Sequence, residues 1–567
     1  MTAGGGAGSS RAGWAGRLGG GVVGAAVLIG VITILARVTG FAKQLAFARS
    51  VGTNCLASAY YTANHVPNIV FEVVAGGALA GMVVPVLAGP AARAMGESRE
   101  EASRIASALM TWVLVLLVPL GALTALAAGP LARLLVGGAV PDCEAGQVAA
   151  VAGRMLAVFA PQIPLYGMAV VLYGVLQAHR RFAGPALAPL VSSVVVIVAY
   201  LAFTPLSGGD RDPAAVPAAA QTVLSVGTTL GVLALVVTVI GPGLGLGLRW
   251  RPVLRFPDGV GAQVRRLALA GLSALLAQQA VMAMVIPLAN RVGGGALPAY
   301  DYAWAIYQVP YAVLAVPIAT SAFPVLSAHA ENGDHDGFAE LSARTTRAVI
   351  LICGLAAGAL AAVAGPVAHV FLGQADADVR PDEFARAIAL FAPGLVGYGL
   401  TAHLSRVLYA ADRGRAAARG MVAGWLVAGV AQAAFVLLLP AGWKLGGLAA
   451  GQALGMTAGG ALLLGSVLRA RGGAAVRGVR RAAPAAALGG GAGFLAGSGA
   501  VLAVGGEGPW AGLAAAAVAG VTALLAGVIV AAAADREDLD VIVARFRRGR
   551  ASEPDGRVLS RRGGGRP

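Results

Sequence analysis

The sequence predicts an all-α polytopic membrane protein: about fourteen transmembrane helices, in two parallel-related six-helix lobes with two further helices at the C-terminal end. Three observations carry this. Of 567 residues, 58% are hydrophobic and only 12% charged, and mean hydropathy is +0.77, far too apolar for a soluble domain. The apolar residues form continuous runs of bilayer length, unlike the weak alternation of a β-barrel, and backbone groups in lipid must be satisfied within each run. A segment of the first half also recurs in the second.

Taken in order, the runs place spans at 21–50, 56–88, 103–128, 146–178, 184–206, 215–243, 262–291, 297–328, 343–373, 382–411, 415–440, 444–469, 480–504 and 509–534. Residues 1–20 are Gly-rich with Arg11 and Arg17 and read as a flexible cytoplasmic N-terminus. The first span lacks a small-x-small cleavage site and contains Arg37, so it reads as a retained helix rather than a signal peptide. Residues 21–243 form the N-lobe, 262–469 the C-lobe and 480–534 the extra pair. The extra pair has almost no polar side chain and suits contact with lipid or an acyl chain. Residues 535–567 are a basic cytoplasmic tail, expected to be disordered towards its end.

Lysine and arginine set the orientation. With the N-terminus in the cytoplasm, most of the 42 basic residues fall on the cytoplasmic side. Two clusters dominate: Arg249, Arg251, Arg255, Arg265 and Arg266, then Arg469, Arg471, Arg477, Arg480 and Arg481. The opposite loops hold Asp142, Glu144, Asp210, Asp212, Asp376 and Asp378. Both termini are therefore expected to be cytoplasmic, which requires an even span count. The net charge of +16 is then a topology signal that also attracts anionic lipid, and nucleic acid is not the implied partner.

Residues 154–181 align without gaps to 386–413. Phe159-Ala160-Pro161 matches Phe391-Ala392-Pro393, and Tyr166-Gly167 matches Tyr398-Gly399. Val66-Pro67 is echoed by Val309-Pro310, and Pro85-Val86-Leu87 by Pro324-Val325-Leu326. Six spans separate the matches, so both halves share one orientation, as in transporters that rock two bundles around a central site. The 82 glycines reflect either close helix packing or a GC-rich genome. Cys55, Cys143 and Cys353 form no CxxC and no metal spacing, so neither a disulfide framework nor a zinc site is expected. Cys55 and Cys143 share the external side, which would permit a bond that the spacing does not call for. No nucleophile–base pair, Walker loop or cofactor motif stands out, so an enzyme or ATP-driven pump is not indicated.

Functional candidates are polar residues inside spans. A cation at mid-bilayer depth costs roughly 2.5–3.5 kcal/mol on insertion scales, and the first span carries two, Arg37 and Lys43. With Gly40 between them, successive members step about 60° around the helix and share one broad face. A guanidinium fork and a flexible ammonium suit a diphosphate or another anion. On the second span Ser58, Tyr61, His65, Asn68 and Glu72 form one stripe on a helix bent at Pro67. Glu72 is read either as a site residue or as the structural counter-ion of Arg37 or Lys43. His65 alone is more often an interior hydrogen-bonded histidine than a proton relay. In the second half Gln278 and Gln279 lie mid-span, and Asp301, Trp304 and Gln308 form a shorter stripe. The candidate substrate-binding set is Arg37, Gly40, Lys43, His65, Asn68, Glu72, Gln279, Asp301 and Gln308.

The stretches ARVTGFAKQLAFARSVG (36–52), AYYTANHVPNIV (59–70), VVPVLA (83–88) and YDYAWAIYQVP (300–310) resemble the MurJ/MviN family. Those proteins are lipid II flippases of peptidoglycan synthesis, within the multidrug/oligosaccharidyl-lipid/polysaccharide exporter superfamily. The resemblance covers about residues 20–535 and is most specific in the first two spans. It implies a multi-pass protein of the bacterial cytoplasmic membrane that moves a lipid with a diphosphate headgroup and polyprenyl tail by alternating access. Cell-wall synthesis enzymes are an implied set of partners. Arg37 matches a family arginine, Lys43 replaces another, and the last two helices would hold the tail. The sequence also departs from the pattern. Ser58 stands for an acidic residue, Phe71-Glu72 for an arginine pair, and Trp304-Ala305 for Asp-Arg. The implied cavity is less cationic, which leaves another polyprenyl-linked glycan, an amphiphile or a non-transporting scaffold as alternative readings.

Overall fold

A computed structural model describes residues 31–74, 83, 86–87, 97–257, 260–373, 377–504 and 508–534, with only the backbone over 97–98, 262–271 and 509. The expected N-terminal segment 1–20 and the basic tail 535–567 lie outside the described residues. The first-half helices are α1 (Val31–Ser50), α2 (Cys55–Glu72), α3 (Glu97–Leu126), α4 (Ala128–Val136), α5 (Ala145–Phe159), α6 (Gln162–Ala178), α7 (Ala183–Ser207) and α8 (Ala218–Leu244). The second half contains α9 (Val260–Asn290), α10 (Ala296–Pro310), α11 (Val316–Glu331), α12 (His335–Ala362), α13 (Ala364–Leu372), α14 (Pro381–Phe391), α15 (Gly394–Ala410), α16 (Gly414–Leu438) and α17 (Ala441–Arg471). α18 (Val479–Val504) and α19 (Pro509–Ala534) complete the chain.

Among the described residues, twelve helices are long and apolar enough to cross a membrane, thirteen if the bent pair α5–α6 is one span. The protein is a multi-pass membrane protein. The expected second span, 56–88, runs partly outside the described residues, so fourteen is not reached by count.

Several expected single spans are interrupted, each for a local reason. α5 and α6 meet at a 40° bend beside Pro161, and α14 and α15 break at the matching Pro393. A proline lacks the N–H that would continue the ladder. Pro130 and Pro366 likewise leave the carbonyls of Leu126 and Ala362 without their usual donor, and those residues end α3 and α12. α10 and α11 are joined by a π-helical turn, Tyr311–Ala315, directly after Pro310. Residues 73–74 after α2 are also π-helical.

The repeat is conformational as well as sequential. Arg180 and Asp412, equivalent in the alignment, both have φ 56°. Arg181 N–H donates to Leu176 O at 2.8 Å and Arg413 N–H to Leu408 O at 2.8 Å. Both helix ends therefore close with the same six-to-one hydrogen bond around a left-handed residue.

Helices α2 to α8 pack among themselves, as do α9 to α17, while α18 and α19 pack on each other and on α12. Small residues permit the closest approaches. A Cβ on Gly358 of α12 would strike the Gly490 carbonyl of α18, and one on Gly455 of α17 would strike Ala428 of α16. Such contacts are favoured where the solvent is as apolar as the side chains.

Cys55 and Cys143 form a disulfide, with Cα atoms 5.8 Å apart. The expectation of no disulfide is thereby corrected. The first residue of α2 meets the turn before α5, because α2 packs along α5. Cys353 is free and buried. We call the end of the bundle bearing this bond the disulfide end.

Candidate functional site

The two lobes meet at the disulfide end through backbone and polar side chains. Asp378 N–H donates to Thr53 O at 2.9 Å, and Gly294 N–H to Pro141 O at 3.2 Å. Gly295 N–H donates to the Ser58 hydroxyl at 2.9 Å. The Asn290 amide donates to Thr62 Oγ1 at 3.1 Å and to Leu135 O at 3.3 Å. Gly295 has φ +75°, and a Cβ there would run into the Thr53 carbonyl, so only glycine permits this approach. Ser58, where the family resemblance implies an acid, is fully buried with its hydroxyl used as an acceptor across the seam. A carboxylate is larger and would bring a charge into the same closed contact.

The α2 stripe passes from this closed end into the open. Ser58 is 0% and Tyr61 7% exposed. His65 and Asn68 are half-buried and Glu72 is exposed. The stripe is therefore covered by the other lobe at one end and uncovered at the other. The hydrogen bonds named above, each crossing between the lobes, all belong to the disulfide end.

The sequence-derived candidates separate on this geometry. Lys43 is half-buried and Arg37 exposed, and among the described residues a Cβ on Gly40 would meet nothing within 4 Å, so open space adjoins the face carrying both cations. The neighbouring Ile34 and Val38 are 64% and 60% exposed, and α1 reaches its first fully buried residue at Phe47. Its far end is anchored by Phe47, whose ring lies 4.8 Å from that of Tyr60 and 5.1 Å from that of Tyr61. Gln44 Oε1 accepts the Tyr61 hydroxyl at 2.8 Å.

His65 Nε2 lies 3.4 Å from Asp301 Oδ1, across the two lobes. This joins two candidates from stripes that the sequence could not relate. Asn68 is tied within its own lobe: its amide donates to Asn64 Oδ1 at 2.8 Å and its oxygen accepts from the Tyr166 hydroxyl at 3.2 Å. Glu72 makes no ion pair with Arg37 or Lys43 among the described residues, which removes the structural counter-ion reading. Gln279 is buried at 6% exposure. Gln308 is half-buried. Trp304 belongs to an aromatic stack with Tyr307, Phe391 and Tyr398 at 5.4–5.9 Å between centroids.

Sequence reading passed over Arg406, a half-buried cation on α15 whose Nη1 donates to Ala402 O at 2.6 Å. It lies inside the repeated segment, which is the signal that could have found it. Three acceptors of the segment after α8 were also missed. Ser103, Ser107 and Thr111, at successive turns of α3, accept the N–H groups of Arg249, Arg251 and Val253 at 3.1–3.2 Å. A hydroxyl every fourth residue thus holds alternate amides of an extended chain.

Comparison with known proteins places this architecture. A solved structure of "Lipid II flippase MurJ, inward closed conformation" superposes with TM-score 0.67 at 16% identity, covering 90% of this chain and 99% of that one. An inward-facing multidrug resistance MATE family transporter of the MOP superfamily superposes with TM-score 0.62 at 16% identity, covering 76% and 94%. These identities speak to the fold alone. The lipid II flippase MurJ of Burkholderia cenocepacia is 27% identical over 387 residues, 67% of this chain and 71% of the relative. The sequence profile of "Lipid II flippase MurJ" matches residues 47–496. With most of the chain matched and the fold in agreement, the protein belongs to the lipid II flippase MurJ family.

Proposed function

We propose that this chain moves a lipid-linked peptidoglycan precursor, lipid II, from the inner to the outer leaflet of the bacterial cytoplasmic membrane by alternating access. The observation that carries the reading is the α2 stripe, covered at the disulfide end and uncovered at the other, in a chain matched by the flippase profile over residues 47–496. The excess of lysine and arginine away from the disulfide end assigns that end to the outside. A disulfide persists in an oxidising compartment, which agrees. The conformation is then closed outward, and both termini are cytoplasmic.

In this reading Arg37 and Lys43 meet the diphosphate from the cytoplasmic side, with Gly40 leaving room between them. The headgroup passes along the stripe while the polyprenyl tail stays in lipid beside α18 and α19, whose Leu488, Leu495, Leu525 and Ile529 are exposed. Arg406 adds a cation from the second lobe. No cofactor is invoked, and docking of cell-wall synthesis enzymes is a further part of the proposal.

The test is depletion of the protein followed by an assay of which leaflet holds lipid II. Accumulation in the inner leaflet is expected. Arg37→Ala should abolish flipping while folded protein is retained, and normal flipping by this variant would refute the assigned role. A second reading, export of another polyprenyl-linked glycan or amphiphile, is favoured by exposed Glu72, an anion at a position where the resemblance implies arginine. Competition between lipid II and such lipids for the purified protein separates the two. A scaffold role would show as full complementation by a protein whose lobes are cross-linked.

A further inference from the structure

We propose that His65 and Asp301 form a proton-binding site across the lobe seam, so that closing the disulfide end takes up a proton. His65 Nε2 and Asp301 Oδ1 are 3.4 Å apart, and each side chain is only 16% exposed. His65 Nδ1 lies 2.9 Å from the Tyr61 carbonyl oxygen. A carbonyl only accepts, so Nδ1 carries the hydrogen and Nε2 presents either a lone pair or a second proton. An ionised carboxylate only accepts as well. Without an added proton the seam would press a lone pair against a carboxylate in a place largely closed to water. One proton converts this repulsion into an imidazolium–carboxylate pair or an imidazole–carboxylic acid pair. The two microstates hold the same number of protons, so the inference does not depend on which is occupied.

The pair belongs to the opening motion. His65 is on α2 of the first lobe and Asp301 on α10 of the second, on the same side of the molecule as the contacts of Ser58, Thr62 and Thr53. When the lobes part there, imidazole and carboxylate separate into water. An ordinary aspartate is then ionised at neutral pH and an ordinary histidine mostly neutral, with reference values of about 3.9 and 6.5. The shared proton leaves. The closed form binds up to one proton more than the open form, so acid favours closure and rising pH favours opening. One proton of difference changes the closed-to-open ratio by up to about tenfold per pH unit.

Few neighbours compete for this role. α1 brings Lys43, α2 Tyr61 and Glu72, α6 Tyr166 and α10 Tyr302; α4 and α5 carry one arginine each, Arg133 and Arg154; and α14, packed on α10, carries Asp382, Glu383 and Arg386. α9 has no titratable side chain over residues 272–290. Of these neighbours the carboxylates of Glu72, Asp382 and Glu383 ordinarily change charge below pH 8; Glu72 lies seven residues along α2, about 10 Å from His65, and Glu383 is paired with Arg380.

The test uses the full chain in liposomes without cargo, so it stands or falls separately from the substrate assignment. Cys55 and Cys143 are bonded and Cys353 is buried, which leaves introduced cysteines free for spin labels. With labels at Glu144→Cys and Arg291→Cys, on loops of opposite lobes, the distance distribution is measured from pH 5.5 to 8.5. The closed population is expected to fall as pH rises. His65→Gln and Asp301→Asn, which each place one donor against one acceptor with no added proton, should flatten the profile. The exchange His65→Asp with Asp301→His should restore it. A wild-type profile independent of pH, or single variants as pH-dependent as wild type, would overturn the proposal.

Discussion

Packing within a lobe and packing between lobes are built from different chemistry. Inside the second lobe and onto the extra pair, backbones touch through glycine and alanine, as at Gly358 against Gly490 and Gly455 against Ala428. Between the lobes, the rings of Tyr61 and Tyr302 meet at 6.0 Å and single hydrogen bonds join the disulfide end, as at Gly295 to Ser58 and Asp378 to Thr53. Water cannot replace a van der Waals contact between backbones, but it readily replaces a hydrogen bond. Glycine contacts of this kind run through the second lobe and onto the extra pair, whereas the seam that must open adds to its apolar contacts a set of hydrogen bonds that water can take over.

The contrast can be broken at graded cost. The largest effect is expected from Gly358→Val, which drives a branched side chain into the Gly490 carbonyl. Overpacking of this kind costs typically 1–3 kcal/mol and sometimes more. The yield of folded protein on size exclusion should drop sharply. Next is Gly295→Ala. A left-handed alanine costs roughly 1–2 kcal/mol, before its Cβ meets Thr53. Here folded yield should hold while the spin-label distance between Glu144→Cys and Arg291→Cys lengthens, because the cost falls on closure rather than on the lobes. Failure to fold would show that the seam is as permanent as the lobe interior.

Ser58→Ala is milder. It leaves the Gly295 amide without its acceptor, at about 1–3 kcal/mol if the group stays dry. The shift towards the open form should be in the same direction as for Gly295→Ala and smaller. The smallest effect belongs outside the bilayer. Asp334 caps α12, accepting from Gly337 N–H at 2.9 Å and from His329 Nδ1 at 2.7 Å. The Gly337 amide, then the His329 contact, hold its carboxyl below the usual aspartate value. A lowered value in the folded state means the contribution is present above the ordinary aspartate range and is lost as pH falls through the folded value. Asp334→Ala should therefore lower thermal stability slightly at neutral pH and not at all in strong acid, with no effect on lobe opening.

Much of the architecture is legible in the order of the residues. Long apolar runs specify helices because the lipid interior offers no other partner for the backbone. The repeated Phe-Ala-Pro marks the same kink twice, and the stripe from Ser58 to Glu72 follows from helical periodicity alone. A second repeat is too short to stand out among alanines and glycines: Ala128-Gly129-Pro130 and Ala364-Gly365-Pro366 open two equivalent short helices.

Whether a residue on a stripe is closed, open or paired depends on how distant segments meet, and periodicity is blind to that. Sequence alone determined the helical class, the doubled architecture and the polar face of α2, because each rests on spacing within a few turns. Only the tertiary structure decided that Cys55 reaches Cys143 and that His65 meets Asp301. It also decided that Glu72 pairs with neither Arg37 nor Lys43. Each of these turns on where one helix end stops against another, and that is set by the packing of the whole bundle.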